Sequence, residues 1–152
     1  MSWLRTALPA LLLLWAGVVI GVSFLAAPAK FAAPSLTLPV ALEVGREEFG
    51  ALGTVELVLL AATMALALLT RPGLMVWAGL GLAGLSVLAQ WLWLLPVLDA
   101  RVEVVIQGGT PAQAPWHTLY VVVECAKLLA LLGAGWLALL ATSRSRPPAA
   151  SR

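Results

Sequence analysis

The feature that most limits how this chain can fold is an apolar run, Trp116 to Thr142, with two opposite charges inside it, Glu124 and Lys127. The run is long enough to cross a bilayer, for which ~20 apolar residues suffice. A charged side chain at membrane depth costs ~2.5–3.5 kcal/mol on insertion scales, so both charges need partners in a protein interior. At ~100° per residue, His117, Tyr120, Glu124 and Lys127 fall within roughly 80° of one helix face. The opposite face is aliphatic. The rest of the chain must supply the interior that this polar face requires.

Three further apolar runs are available to do so. Of 152 residues, 62% are hydrophobic and 11% charged, where soluble domains have ~45–50% and ~25%. This composition predicts an integral membrane protein with little left over for a soluble domain. The expected fold is all-α: an antiparallel four-helix membrane bundle over residues 1–142, followed by a disordered basic tail over 143–152. Its spans are expected at about 7–27, 52–69, 74–98 and 116–141.

The first apolar run ends at Ala27-Pro28-Ala29, which imitates a signal-peptidase site. Its length of about 20 residues exceeds a signal h-region of about 7–15, so it is read as a retained span. Gly17 and Gly21 have the spacing that lets a second helix approach closely. Pro28, Pro34 and Pro39 are expected to break this helix and to allow a new one, capped near Thr37, with Pro39 in its first turn. That amphipathic helix, Pro39 to Gly53, lies in the first outer loop, places Phe49 inward and Glu47 in water, and leads directly into the second span. Within it Arg46 can pair with Glu43 at i,i+3.

Thr70-Arg71-Pro72-Gly73 is a tight turn between spans. The third span carries Gly79, Gly81 and Gly84 as a small-residue face, Trp91 and Trp93 suited to an interfacial belt, and Pro96, which is expected to kink its end. Residues 99–107 are read as continued helix, and 108–115 as a loop, with Pro115 placed to begin the fourth span.

Arg5, Arg71, Arg144, Arg146 and Arg152 would lie on one side of the membrane with no acid. Lys30, Arg46 and Arg101 would lie on the other with Glu43, Glu47, Glu48, Asp99 and Glu103. Basic residues accumulate on the cytoplasmic side, so both termini are expected there. With that orientation, Glu124 lies ~12 Å and Lys127 ~16 Å below Trp116, at ~1.5 Å per residue. Glu56, Gln90 and Ser23 come from the other three helices to similar depth, with Lys30 two turns further out.

Two readings of this polar layer stand side by side. Glu124 and Lys127 can simply neutralise each other, as a registry device with Gln90 and Ser23 as interhelical glue. Alternatively, Glu124, Lys127, Glu56, Gln90, His117 and Tyr120 form a ligand or proton site, Glu56 and Glu124 being an acid pair able to carry a proton. Contact with a partner subunit is a third use of the same groups.

Other chemistry is set aside. One cysteine rules out an internal disulfide, and one histidine rules out bis-histidine haem without a dimer. Cys125 is on a different face from His117, so no metal site is expected. No cofactor, nucleophilic triad, phosphate loop or nucleic-acid-binding pattern is present in the sequence.

The run Gly21-Val-Ser-Phe-Leu-Ala-Ala-Pro-Ala-Lys-Phe31, then Gly45-Arg46-Glu-Glu-Phe49 and Val55-Glu56, resembles small four-span bacterial membrane proteins of unknown function. The resemblance covers about the first 60 residues. It implies a bacterial cytoplasmic (inner) membrane location and points to Pro28, Phe31, Gly45, Arg46, Phe49 and Glu56 without implying a reaction. The expected role is binding or passing a small solute or proton through the polar centre, in a chain that can form a homo-oligomer. The rival is a scaffold or accessory subunit of a larger membrane complex. An intramembrane enzyme ranks third.

Overall fold

A computed structural model describes residues 2–144, and the expected tail beyond Arg144 lies outside the described residues. The described chain forms four long helices and no strand: α1 (Trp3–Ala32), α2 (Leu38–Thr70), α3 (Leu74–Ile106) and α4 (Trp116–Arg144). Each is long and apolar enough to cross a membrane.

All four helices outrun the expected spans, for identifiable reasons. Pro28 does not break α1. A π-helical segment, Ile20–Ala26, precedes it, and the N–H of Ala27 reaches back five residues to the Val22 carbonyl. That wide turn gives the proline ring room where an α-helical turn would set a carbonyl against it. The helix then closes in a short 3₁₀ turn, Lys30–Ala32. Pro96 is handled in the same way: Gln90–Leu94 is π-helical, the Leu95 N–H reaches the Gln90 carbonyl, and α3 continues.

The expected loop helix is not separate from the second span. Thr37 is the N-cap, a proline follows in the first turn, and one helix runs from Leu38 to Thr70. Gly50 and Gly53 lie within it but neither ends it. Arg71, at φ 49°, caps its far end in the left-handed region, with its N–H on the Ala67 carbonyl. The C-terminus of α3 ends in a Schellman motif. Gly108 has φ 79°, the Gly109 N–H bonds the Val104 carbonyl at 2.8 Å, and the Gly108 N–H bonds the Val105 carbonyl at 3.0 Å. At the fourth helix, Ser143 and Arg144 are helical, where the sequence suggested tail.

The helices are layered along their length. Leu8, Leu12, Trp15, Ala16 and Val19 of α1 pack with Ala67 of α2, Val76, Leu80, Ala83 and Val87 of α3, and Leu131, Ala134 and Ala138 of α4. Helix α4 makes its main contacts with α1 and α3. Small residues set those contacts. A Cβ on Gly79 would meet Ala134 Cβ at 2.8 Å and the Ala130 carbonyl at 3.0 Å, and one on Gly135 would meet the Leu13 side chain at 2.8 Å. Gly17, Gly21 and Gly81 face open space instead, so the expected close approach at Gly17 and Gly21 does not occur within the chain.

The exterior is apolar. Leu25, Leu69, Leu74, Leu85, Leu92 and Leu129 are each exposed, and Leu129 is 70% so. The interior, by contrast, holds Glu56, Gln90, Glu124 and Lys127, none more than 2% exposed. A soluble protein has the opposite arrangement.

Candidate functional site

Next along each helix from the apolar core lies a polar layer. Lys127 sits at its centre and is wholly buried. Its ammonium lies 2.6 Å from Glu56 Oε1, 2.8 Å from Glu124 Oε2 and 2.8 Å from Gln90 Oε1. It also donates to Glu56 Oε2 at 2.8 Å. The Glu124 carboxylate accepts from Gln90 Nε2 at 2.5 Å and from the Ser23 hydroxyl at 2.5 Å. The indole N–H of Trp15 donates to Glu56 Oε1 at 2.9 Å. Among the described residues, no side-chain nitrogen or oxygen that is itself completely shut off from solvent lacks a partner.

The helical period explains the convergence. Glu124 and Lys127 are three residues apart and share a face. Gln90 opens the π-helical turn of α3 and Ser23 lies in that of α1, so both irregular turns contribute a side chain here. Charge counting gives two carboxylates for one ammonium. Every member is hydrogen-bonded, which is the condition under which a buried charged cluster is tolerated.

Of the sequence candidates, Glu56, Gln90, Glu124 and Lys127 meet in this network, with Ser23. The Glu124–Lys127 pair is in fact part of a larger unit, because Lys127 bonds Glu56 across helices as closely as it bonds Glu124. Trp15 escaped the sequence reading, since an indole in an apolar helix looks like packing. His117 and Tyr120 do not join the network. They line a cavity beyond it.

That cavity encloses about 580 Å³, within the range of ligand pockets. Its walls come from the ends of α1 and α3, the starts of α2 and α4, and Pro111 of the connecting loop. Phe24, Phe31, Leu42, Phe49, Leu95, Leu98, Val102 and Val121 make most of it apolar. Ser23, Tyr120 and Glu124 stand where it meets the polar layer. Glu56, Gln90 and Lys127 do not line it. Glu124, bonded to Gln90 and Lys127, and Ser23, bonded to Glu124, thus join cavity and network.

Of the six residues singled out by the sequence motif, Pro28, Phe31, Gly45, Arg46 and Phe49 line this cavity, while the sixth, Glu56, lies in the polar layer instead. Gly45 is required for a close approach: a Cβ there would lie 2.7 Å from Lys30 Nζ. Lys30 pairs with Glu48 at 2.6 Å and lies 5.6 Å from the centres of both the Phe31 and Phe49 rings. Phe49 is half-buried with its ring edge-on to Tyr120, 5.3 Å between centres, while Glu47 is exposed, as the sequence suggested. Arg46 does not pair with Glu43. It reaches Glu103 of α3 at 3.2 Å and Glu47 at 3.9 Å, because its side chain turns towards α3.

Trp93 is half-exposed and meets Trp116 edge-on, 5.7 Å between ring centres. Trp91 instead lies over Gly53, where a Cβ would come within 2.4 Å of its ring. Among the described residues no His, Cys, Asp and Glu group could hold a metal, and Cys125 is exposed.

No family model matches the chain, and no curated protein or solved structure matches it. The likeness to small four-span bacterial proteins therefore rests on the motif residues quoted above.

Proposed function

We propose that the chain is an integral membrane protein, an antiparallel four-span bundle of the bacterial cytoplasmic membrane, that binds a small solute in the cavity above its polar layer. The observation that carries this reading is the meeting of cavity and network at Glu124. An apolar exterior around a charged interior supports insertion in lipid, where the burial cost of the charges falls on the interior network. The excess of basic residues near the termini and the turn at Arg71 supports cytoplasmic termini, which puts the cavity mouth outside.

The polar layer bears on transport. It carries one more carboxylate than ammonium, so a proton arriving through the cavity would bring it to neutrality. The packed layer from Leu12 to Leu131 separates it from the opposite end. Binding from one side is therefore favoured over passage in this conformation.

Access tests the reading. In a Cys125→Ala background, Tyr120→Cys and Phe49→Cys should react with a membrane-impermeant maleimide added outside intact cells. Thr63→Cys, buried on the other side of the network, should not. Labelling at both cavity positions only after permeabilisation would refute an outward-facing site.

A second reading, the scaffold or accessory subunit, draws on Gly17 and Gly21, whose face on α1 is uncovered. Replacing both with Leu should abolish any stable partner complex seen on purification and leave the cavity labelling unchanged.

A further inference from the structure

We infer that the cavity takes a single-chain amphiphile with a zwitterionic headgroup, of the lysophospholipid type; this rests on the solute-binding reading above and names its substrate class. Three observations lead there.

The first is charge at the mouth. Lys30 and Arg46, which line the cavity, are engaged by Glu48 and Glu103. Two further lining residues of opposite sign remain, Asp99 and Arg101, two residues apart on α3. Neither makes an ion pair or hydrogen bond among the described residues, although Asp99 lies within the field of Arg46 and Glu47. A purely anionic or cationic headgroup would satisfy one of them and face the other at close quarters. A headgroup with a phosphate and an ammonium satisfies both, the phosphate at the guanidinium and the ammonium at the carboxylate.

The second is the wall. Phe24, Phe31, Leu98 and Val102 present apolar surface between the mouth and the polar layer, the surface an alkyl chain requires. Tyr120 is 5% exposed, and its hydroxyl has no protein hydrogen-bond partner among the described residues. It lines the cavity and remains available to a glycerol hydroxyl or ester carbonyl.

The third is size. A cavity of about 580 Å³ lies within the range of pockets that bury one drug-sized ligand, which favours an amphiphile with one alkyl chain over one with two.

The test uses the full-length protein in maltoside micelles and native mass spectrometry. The probes are a 16-carbon lysophosphatidylethanolamine, hexadecanoic acid, hexadecyltrimethylammonium and a two-chain phosphatidylethanolamine. The expected result is binding of the lysophospholipid at least tenfold tighter than of the other three. Arg101→Gln and Asp99→Asn should each remove that preference. Asp99→Asn should leave hexadecanoic acid as well bound as before or better, and Arg101→Gln should do the same for the alkylammonium. Equal or tighter binding of any single-sign or two-chain probe overturns the inference, as does an unchanged preference in both variants. Val102→Trp, which fills the cavity, should abolish binding of every probe, with Val102→Leu as a milder control for folding. If the lysophospholipid binds equally to the Trp variant, the cavity is not its site and the inference falls. If every single-chain probe is lost in that variant but none was preferred before, the cavity reading stands and the headgroup assignment alone fails.

Discussion

Removing the central ammonium with Lys127→Leu tests the polar layer most directly. The substitution deletes contacts of 2.6 and 2.8 Å to Glu56, 2.8 Å to Glu124 and 2.8 Å to Gln90, all in a fully buried setting. Breaking a buried ion pair by removing one partner costs about 3–5 kcal/mol, because a charge is left uncompensated. Here two carboxylates are left, so the upper part of that range is expected. They are not equally exposed to the loss. Glu124 keeps two donors, Ser23 and Gln90, whereas Glu56 keeps only Trp15. Adding Glu56→Gln to Lys127→Leu should therefore recover more stability than adding Glu124→Gln. All three substitutions together should return to within about 2 kcal/mol of the native protein, since neutral groups carry no burial cost of this size. Reversible unfolding in mixed micelles, followed by tryptophan fluorescence, gives the free energies. A loss below about 1 kcal/mol for Lys127→Leu would show the charges to be solvated. A larger rescue by Glu124→Gln than by Glu56→Gln would refute the assignment of partners.

The remaining expectations probe other layers. Reporter fusions after Arg71 and after Gly108 should report cytoplasm and exterior respectively, and the reverse pattern would overturn the orientation. Gly53→Ala should cost about 1–3 kcal/mol, because its methyl would come within 2.4 Å of the Trp91 ring; adding Trp91→Leu should recover much of that loss. Gly17→Ala meets nothing within 4 Å and should leave thermal stability unchanged or slightly raised, through helix propensity. Trp15→Phe keeps the ring but removes the donor to Glu56, and a loss of about 1.5–3 kcal/mol is expected on the same unfolding scale.

How far the sequence disclosed this arrangement depends on which physical signal each residue carried. Glu124, Lys127, Glu56 and Gln90 were legible because a charged or amide group in an apolar run is costly and must turn inward, and depth along a helix follows from residue count. Which carboxylate the lysine holds was not, since Glu124 is its neighbour in sequence whereas Glu56 reaches it only once α2 and α4 are placed. Glycine spacing was an unreliable guide to packing. Gly17 and Gly21 have the expected interval and face open space, while Gly135 lies against Leu13 with no such interval to announce it. The cavity was beyond sequence reading altogether, because its shape is the space left by four elements and a loop. Five of its lining residues were nonetheless among the six that the resemblance pointed to.

The two prolines join these levels. Each was a reason to expect disruption, one as a helix break and one as a kink, and each instead follows a π-helical turn that contributes a member of the polar layer. A π turn inserts one residue and so rotates everything beyond it by about 100° around the axis relative to the turns before it. In α1, Ala27, Pro28, Lys30 and Phe31, past that turn, line the cavity, while Leu8, Leu12, Trp15, Ala16 and Val19, before it, face the apolar core. In α3 the same division falls between Val87 and Leu95. Without the inserted residue, a helix face aligned with the core would arrive at the cavity out of register. The proline then holds that adjustment in place, because its missing N–H cannot restore the regular i→i−4 bond. The same local device thus ends the packed layer, turns Ser23 and Gln90 towards Glu124, and presents the cavity wall in two of the four helices.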